Sequence, residues 1–214
     1  MNDKSAATKS ILTVAAPVTA ELVEKKSRFL CLLAPVREES EVQAHLAAIR
    51  KTHWNATHHC YAYRLRDGTE RASDDGEPSG TAGRPMLHTL ASQGLSDVLA
   101  IVTRYFGGTL LGAGGLVRAY SGAVAEALQA VQVVAYAPHE TYKVDLTYAD
   151  YERARAFFAH EPRWRVEEAY ADVVTLTLTV PLQDAVKLRE WITATTKGVG
   201  SVTPVSHAWL PLIT

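Results

Sequence analysis

Alternating apolar and polar residues are clearest in the last third of the chain. Between Glu140 and Tyr148 they alternate with the period of two that is typical of a half-buried strand. A helix that Asp150 can cap follows, then two strands that turn near Ala171, a second helix, and a last strand that Pro204 places at a sheet edge. This β-α-β-β-α-β order predicts a ferredoxin-like domain.

The same alternation predicts which face of this sheet the helices cover. The aliphatic residues between positions 174 and 180 should face the helices, which leaves Thr175, Thr177 and Thr179 outward beside Lys143 and Asp145. RNA-recognition domains of this topology carry stacking aromatic residues on the open face, and none is present. We therefore expect a solvated or partner-covered face.

The first two thirds of the chain also mix strands and helices. The pattern indicates two strands joined by a turn at Lys25 and Lys26, a helix that Ser40 can cap, a strand at 58–66, a short helix at 87–93, a buried strand, and a long helix from Gly114. Eleven of the thirteen glycines lie between positions 68 and 122, so we place a domain boundary near Pro138. The prediction is an α+β protein with domains 1–138 and 139–214.

Composition narrows the functional class. Residues 1–138 hold 14 Lys and Arg against 13 Asp and Glu, and residues 139–214 hold 8 against 10, so neither half is a polybasic nucleic-acid module. Cys31 and Cys60 both lie in apolar strand-like runs, which favours a reducing compartment. The N-terminal apolar run is interrupted by Thr13 and Pro17, and no run approaches the ~20 residues that span a bilayer. We expect a cytoplasmic protein without membrane contact.

A glycine-rich run separates the buried strand from the long helix. A strand end, a loop and a helix start in this order expose backbone N–H groups and a positive helix end, which suit an anion. The letters differ from known nucleotide motifs, because Ala113 and Gly114 stand where a P-loop has Lys and Ser or Thr, and Val117 replaces the third glycine of GxGxxG. Tight turns with close helix packing, or an anion- or backbone-binding surface, both explain the run.

A second polar cluster, in residues 73–86, offers carboxylates and hydroxyls, with His58 upstream. Carboxylates and imidazoles are metal ligands, but the spacing is specific to no metal, and the same loop is also typical of turn chemistry alone. A structural loop, a binding loop and a metal loop therefore stay open. Cys60 shares a strand face with His58, but no residue is assigned to activate its thiol.

These segments also resemble a known family. The strings SDDGEPSGTAGRPML and VTRYFGGTLLGAGGLVRAYSGA, with THHCYAY and the earlier KKSRFL, are similar to the signature segments of the IMPACT family, and the C-terminal part resembles the extra domain of its two-domain bacterial YigZ-type branch. The resemblance implies a first domain with the ribosomal protein S5 domain 2-like fold and a ferredoxin-like second domain, a pair similar to domains IV and V of elongation factor G.

The resemblance also implies a function linked to translation, because eukaryotic family members resemble translational regulators that compete for a ribosome-associated kinase activator. We expect a non-catalytic protein without cofactor or metal that binds RNA, the ribosome or a translation-associated protein. The alternatives are a nucleotide- or metal-dependent, small-molecule kinase-like enzyme that uses the two loops, and a protein-interaction module. The expected binding residues are His58, Asp74, Asp75, Glu77, Ser79, Thr81, Arg84, Arg104, Tyr105, Gly107, Gly108, Gly112, Gly114, Gly115 and Arg118.

Overall fold

The computed structural model describes residues 10–198 and 202–212, which form ten β-strands and five α-helices. Residue contacts divide the chain into two compact units, one comprising Ile11–Val134 and the other containing Ala135–Thr214. The division falls inside the long strand Val133–Leu146, the same strand in which the sequence places the boundary. Among the described residues, no helix combines the length and apolar character needed to cross a bilayer.

The first unit is built on one five-stranded antiparallel sheet. The strands of the sheet are β2 (Val18–Glu24), β3 (Ser27–Pro35), β4 (His58–Arg64), β5 (Glu70–Ser73) and β6 (Val98–Tyr105). The unit also contains the short strand β1 (Ile11–Val14), which is not part of this sheet, and the helices α1 (Glu39–Thr52), α2 (Gly83–Ser92) and α3 (Ala113–Ala130). The sheet has the order β2-β3-β6-β4-β5, and every neighbouring pair is antiparallel. The central strand β6 is therefore hydrogen-bonded on both edges.

Helices cover both faces of this sheet. Helices α2 and α3 pack on one face, where Phe29, Cys60 and Val102 of the strands meet Met86 and Tyr120 of the helices. Helix α1 packs on the other face through residues that include Val42 and Leu46. Because β6 is buried on both sides, it reads as a continuous apolar run, VLAIV, rather than an alternating one.

The second unit has the predicted ferredoxin-like topology. Its elements are β7 (Val133–Leu146), α4 (Tyr148–Phe158), β8 (Arg165–Tyr170), β9 (Val174–Pro181), α5 (Ala185–Thr195) and β10 (Val202–Pro211). The antiparallel order is β10-β7-β9-β8, with the helices on the face that buries Val174, Leu176, Leu178 and Val180. The threonines between them point to the other face, as predicted. The fold class is thus α+β, with two units of which the second is ferredoxin-like. The S5 domain 2-like assignment of the first unit stays a prediction.

Local details differ from the sequence analysis in several places. The short helix predicted at 87–93 is α2, which begins at Gly83 and ends at Ser92. Strands β1 and β5 were missed, because four residues are too few for a periodic pattern. Ser40 is not the cap of α1, which begins after Glu38 without a side-chain cap. Asp150 lies inside α4, and Thr147 is the cap: its Oγ1 accepts from the Asp150 N–H at 3.1 Å and donates to the Asp150 carboxylate at 2.7 Å.

Candidate functional site

Two loops of the first unit border one cleft with a volume of about 450 Å³. The acidic loop, residues 74–81, joins β5 to α2, and the glycine-rich loop, residues 106–112, joins β6 to α3. Four of the predicted residues line the cleft, namely His58, Glu77, Arg104 and Gly112. The rest of the lining is mostly apolar and includes residues of both loops and the first turn of α3.

Close packing explains one glycine of the glycine-rich loop, and backbone conformation explains another. A Cβ on Gly107 would lie 2.0 Å from the carbonyl carbon of Lys26, so only glycine lets this loop pass the β2–β3 turn. The Gly107 N–H donates to Ser27 Oγ at 3.1 Å and fixes the approach. Gly112 has φ +71°, in the left-handed region, and directly precedes α3. The predicted order of strand end, loop and helix start is therefore confirmed.

Helix α3 presents an uncapped N-terminus to the cleft. No side chain caps it, and its first turn contains no acidic residue. Gly112 and Ala113 both line the cleft, and the Leu116 N–H donates to the Gly112 carbonyl at 2.9 Å. The preceding N–H groups of an α-helix have no intrahelical acceptor, and the helix dipole adds partial positive charge there. This end of the cleft therefore favours an anion.

Arg104, one of the expected binding residues, is buried rather than exposed. Its side chain is only 7% exposed, and its Nη1 donates to Glu77 Oε1 at 2.6 Å. Its guanidinium carbon lies 5.4 Å from the ring centroid of Phe29 and 5.6 Å from that of Phe106. The side chain turns inward because Glu77 compensates its charge and two aromatic rings pack against it. Its Nε has no hydrogen-bond partner among the described residues.

Glu77 is shared by two buried donors. Besides Arg104, the Tyr120 hydroxyl donates to Glu77 Oε1 at 2.7 Å. Tyr120 was not among the expected binding residues, since nothing in its helical spacing points to a polar partner. Burial is the main cause that raises the pKa of Tyr120. The Cys60 thiol lies 3.3 Å from the Tyr120 hydroxyl oxygen, and burial raises its pKa to about 12, so it stays a neutral, inert thiol.

The other two acidic side chains of the loop bind backbone. The Asp74 carboxylate accepts from the N–H groups of Gly80, Ala82 and Gly83 at 2.8, 3.0 and 2.8 Å, and so closes the loop onto the start of α2. Burial alone would raise the pKa of Asp74, but these three donors outweigh it and the pKa is lowered. Asp75 Oδ2 accepts from the His59 N–H at 2.7 Å.

These contacts favour the reading of a structural loop over a metal loop. Across residues 10–198 and 202–212, no group of three or more His, Cys, Asp or Glu side chains could hold a metal ion. His58, the imidazole expected to join such a site, donates through Nδ1 to the Asp75 carbonyl at 2.8 Å, and its Nε2 lies 3.9 Å from Glu77 Oε2.

Other predicted residues lie outside the cleft. Ser79 and Arg84 line a second concavity of about 470 Å³, beside the Asp74 cap at the start of α2. Thr81 is buried, and its hydroxyl donates to the Pro78 carbonyl at 2.6 Å. Tyr105 is half-buried: its hydroxyl is 2.8 Å from His53 Nδ1, and the Arg28 guanidinium lies 5.7 Å from its ring centroid. That ring is therefore only partly open to base stacking.

The chain is similar to known proteins over most of its length. Residues 25–128 match the model of the Impact N-terminal domain. The chain is 40% identical to IMPACT family member YvyE of Bacillus subtilis over 90% of each chain, and 37% identical to IMPACT family member YigZ of Escherichia coli over 80% of this chain and 86% of that one. The chain belongs to the IMPACT family. A crystal structure of a protein described only as hypothetical matches this IMPACT chain with a TM-score of 0.64 and 32% identity, covering 92% of this chain and 98% of that one.

The IMPACT domain exposes cations and apolar groups around its glycine-rich loop. We call the set Lys25, Lys26, Phe106, Leu110 and Arg118 the glycine-loop surface. All five are exposed, Phe106 by 47% and Leu110 by 83%. The two lysines form the turn against which Gly107 packs, and the guanidinium of Arg118 reaches to 3.6 Å from the position of a Cβ on Gly114. Of these five, sequence reasoning selected only Arg118.

Proposed function

We propose that this IMPACT protein is a cytoplasmic, non-catalytic RNA- or ribosome-binding protein that modulates translation, either directly or with a translation-associated protein. The observation that carries the proposal is the glycine-loop surface. Exposed cations suit phosphate oxygens, and an exposed aromatic ring suits an unstacked base. They border a loop whose glycines let a nucleic-acid backbone approach closely. The translation-linked role that the family resemblance implies is in keeping with this chemistry.

The net charge of the chain implies that RNA binding depends on the glycine-loop surface alone. The chain has a formal net charge of −1, so a general electrostatic attraction to RNA is not available. Binding must instead come from the few cations of the glycine-loop surface. Because each neutralised phosphate releases counterions, the affinity should fall steeply with salt, and each lost cation should lower that slope by about 0.7 for single strands.

The test compares two matched double variants. Lys25 and Lys26 have φ of +46° and +68°, so Lys25→Asn/Lys26→Asn removes both charges with a residue that tolerates this conformation. The control is Arg37→Gln/Lys51→Gln, which removes two exposed cations next to and within α1, on the opposite face of the sheet. The assay is the fluorescence anisotropy of a labelled single-stranded ribosomal RNA fragment across a salt series, with ribosome sedimentation beside it.

The lysine variant should bind the RNA fragment at least about tenfold more weakly at low salt, and its salt slope should be lower by about 1.4. The α1 variant should bind as the unchanged protein does. Equal losses in the two variants would show only non-specific attraction. Binding that is absent at low salt, or that the lysine variant leaves unchanged, would contradict the proposed function or its surface.

A further inference from the structure

The cleft beside the glycine-loop surface has two polar ends and apolar walls. Pro78, Phe106 and Leu116 are among the apolar residues that line it. At one end is the uncapped start of α3, at Gly112 and Ala113. A volume of about 450 Å³ lies within the range of small-molecule sites, which are mostly apolar with a few converging polar groups.

Arg104 points independently to a ligand. It lines the cleft, its side chain is more than nine-tenths buried, and its Nε is the buried side-chain nitrogen that lacks a hydrogen-bond partner in the described structure. An unpaired buried donor is costly, and a bound acceptor removes that cost. Glu77 offers the complementary group, because its Oε1 is taken by Arg104 and Tyr120 while Oε2 lies 3.9 Å from the cleft residue His58.

We propose that this cleft binds one nucleotide unit of single-stranded RNA, an inference that rests on the proposed function. The phosphate lies at the start of α3, where backbone N–H groups and the helix dipole favour an anion. The base lies between the apolar walls, beside the Phe106 ring. Its polar edge meets Arg104 and Glu77, which offer a donor and an acceptor. Every nucleobase carries neighbouring donor and acceptor groups, so the site accepts a base without selecting one.

Three small probes separate the parts of this ligand. Adenosine 5′-monophosphate carries base and phosphate, adenosine lacks the phosphate, and ribose 5-phosphate lacks the base. We expect measurable binding of the monophosphate by calorimetry, and binding about tenfold or more weaker for each of the other two, since each loses one end of the site. Equal binding of ribose 5-phosphate and the monophosphate would overturn the base assignment, and no binding of the monophosphate at millimolar concentration would overturn the site.

A pair of variants at one position tests the phosphate end. Ala113→Asp places a carboxylate in the first turn of α3, where it favours the helix but repels an anion. Ala113→Asn adds the same bulk without the charge. The aspartate variant should bind the monophosphate about tenfold more weakly than the asparagine variant, with no loss of Tm. Equal affinities of the two variants would overturn the placement of the phosphate.

The same variants distinguish failure of this inference from failure of the proposed function. If the RNA fragment binds and depends on Lys25 and Lys26, but Ala113→Asp leaves its affinity unchanged and the monophosphate does not bind, the cleft proposal is wrong and the RNA-binding proposal stands. If the monophosphate binds in the cleft and the RNA fragment binds nowhere, the assignment to RNA is overturned and the ligand is a free nucleotide.

Discussion

Replacing Glu77 by glutamine removes one charge from the buried network beneath the cleft. The amide is nearly the same size as the carboxylate, and its oxygen can still accept from Arg104 and Tyr120. The change therefore leaves the shape intact and isolates the charge. What remains is an Arg104 guanidinium that is 7% exposed and has no compensating anion at 2.6 Å.

The burial of Arg104 sets the expected loss in the free energy of unfolding. Removing one partner of a buried ion pair destabilises by about 3–5 kcal/mol, and the retained hydrogen bonds of glutamine place Glu77→Gln at the lower end, about 3 kcal/mol. For a chain of this length, 1 kcal/mol shifts Tm by about 2–4 °C, so the fall should be about 6–12 °C. The measurement is thermal and urea unfolding followed by near-ultraviolet circular dichroism, which reports on tertiary packing.

A second substitution tests whether the loss of charge compensation is what destabilises Glu77→Gln. Arg104→Met alone should lower the free energy of unfolding by several kcal/mol, since it leaves the Glu77 carboxylate buried without a counterion. In the double variant Glu77→Gln/Arg104→Met, no buried charge remains unpaired. The double variant should therefore be more stable than the sum of the two single losses predicts, by at least about 1 kcal/mol. A loss below about 1 kcal/mol for Glu77→Gln, or strictly additive losses, would refute the view that Glu77 compensates a buried Arg104.

Three further predictions concern other contacts. The pKa of Asp74 in the folded protein lies below its ordinary value of 3.8, so the ionised carboxylate stabilises the fold above that pH, and this stabilisation is lost as the pH falls through the folded pKa. Asp74→Asn should therefore lower the free energy of unfolding by about 1–2 kcal/mol near pH 6 and by less near pH 3. Urea titration at each pH measures the difference. Thr147→Ala should cost about 1 kcal/mol through loss of the α4 cap, whereas an unchanged urea midpoint would contradict the cap assignment. Cys31 and Cys60 are buried with raised pKa values, so neither should react with a thiol reagent until urea unfolds the chain.

Periodicity was sufficient for most of the fold. The alternation in β7 and β9 and the helical spacing in α4 and α5 predict the ferredoxin-like unit, because one face of each element is buried and the other is not. The first unit was harder to predict. Its central strand β6 is buried on both faces and shows no alternation, and β1 and β5 are too short to show any.

The site was only partly predictable, because its chemistry depends on contacts that are distant along the chain. Glycine spacing correctly indicated a loop before a helix start. It could not show that Arg104 turns inward, since that depends on Glu77, a residue of another loop, and on the ring of Phe29 from a neighbouring strand. The lysines at 25 and 26 were assigned only to a turn, because nothing local shows that the glycine-rich loop packs beside them.

Hydrogen exchange with and without single-stranded ribosomal RNA tests the central claim most directly. The amides of residues 106–116 comprise the glycine-rich loop and the start of α3, whose first N–H groups lack intrahelical acceptors. We predict that RNA slows their exchange by about tenfold or more in the unchanged protein and much less in Lys25→Asn/Lys26→Asn. Protection confined to the threonine-bearing strand β9, or no change at residues 106–116 under conditions where the RNA is bound, would contradict the assignment of the glycine-loop surface.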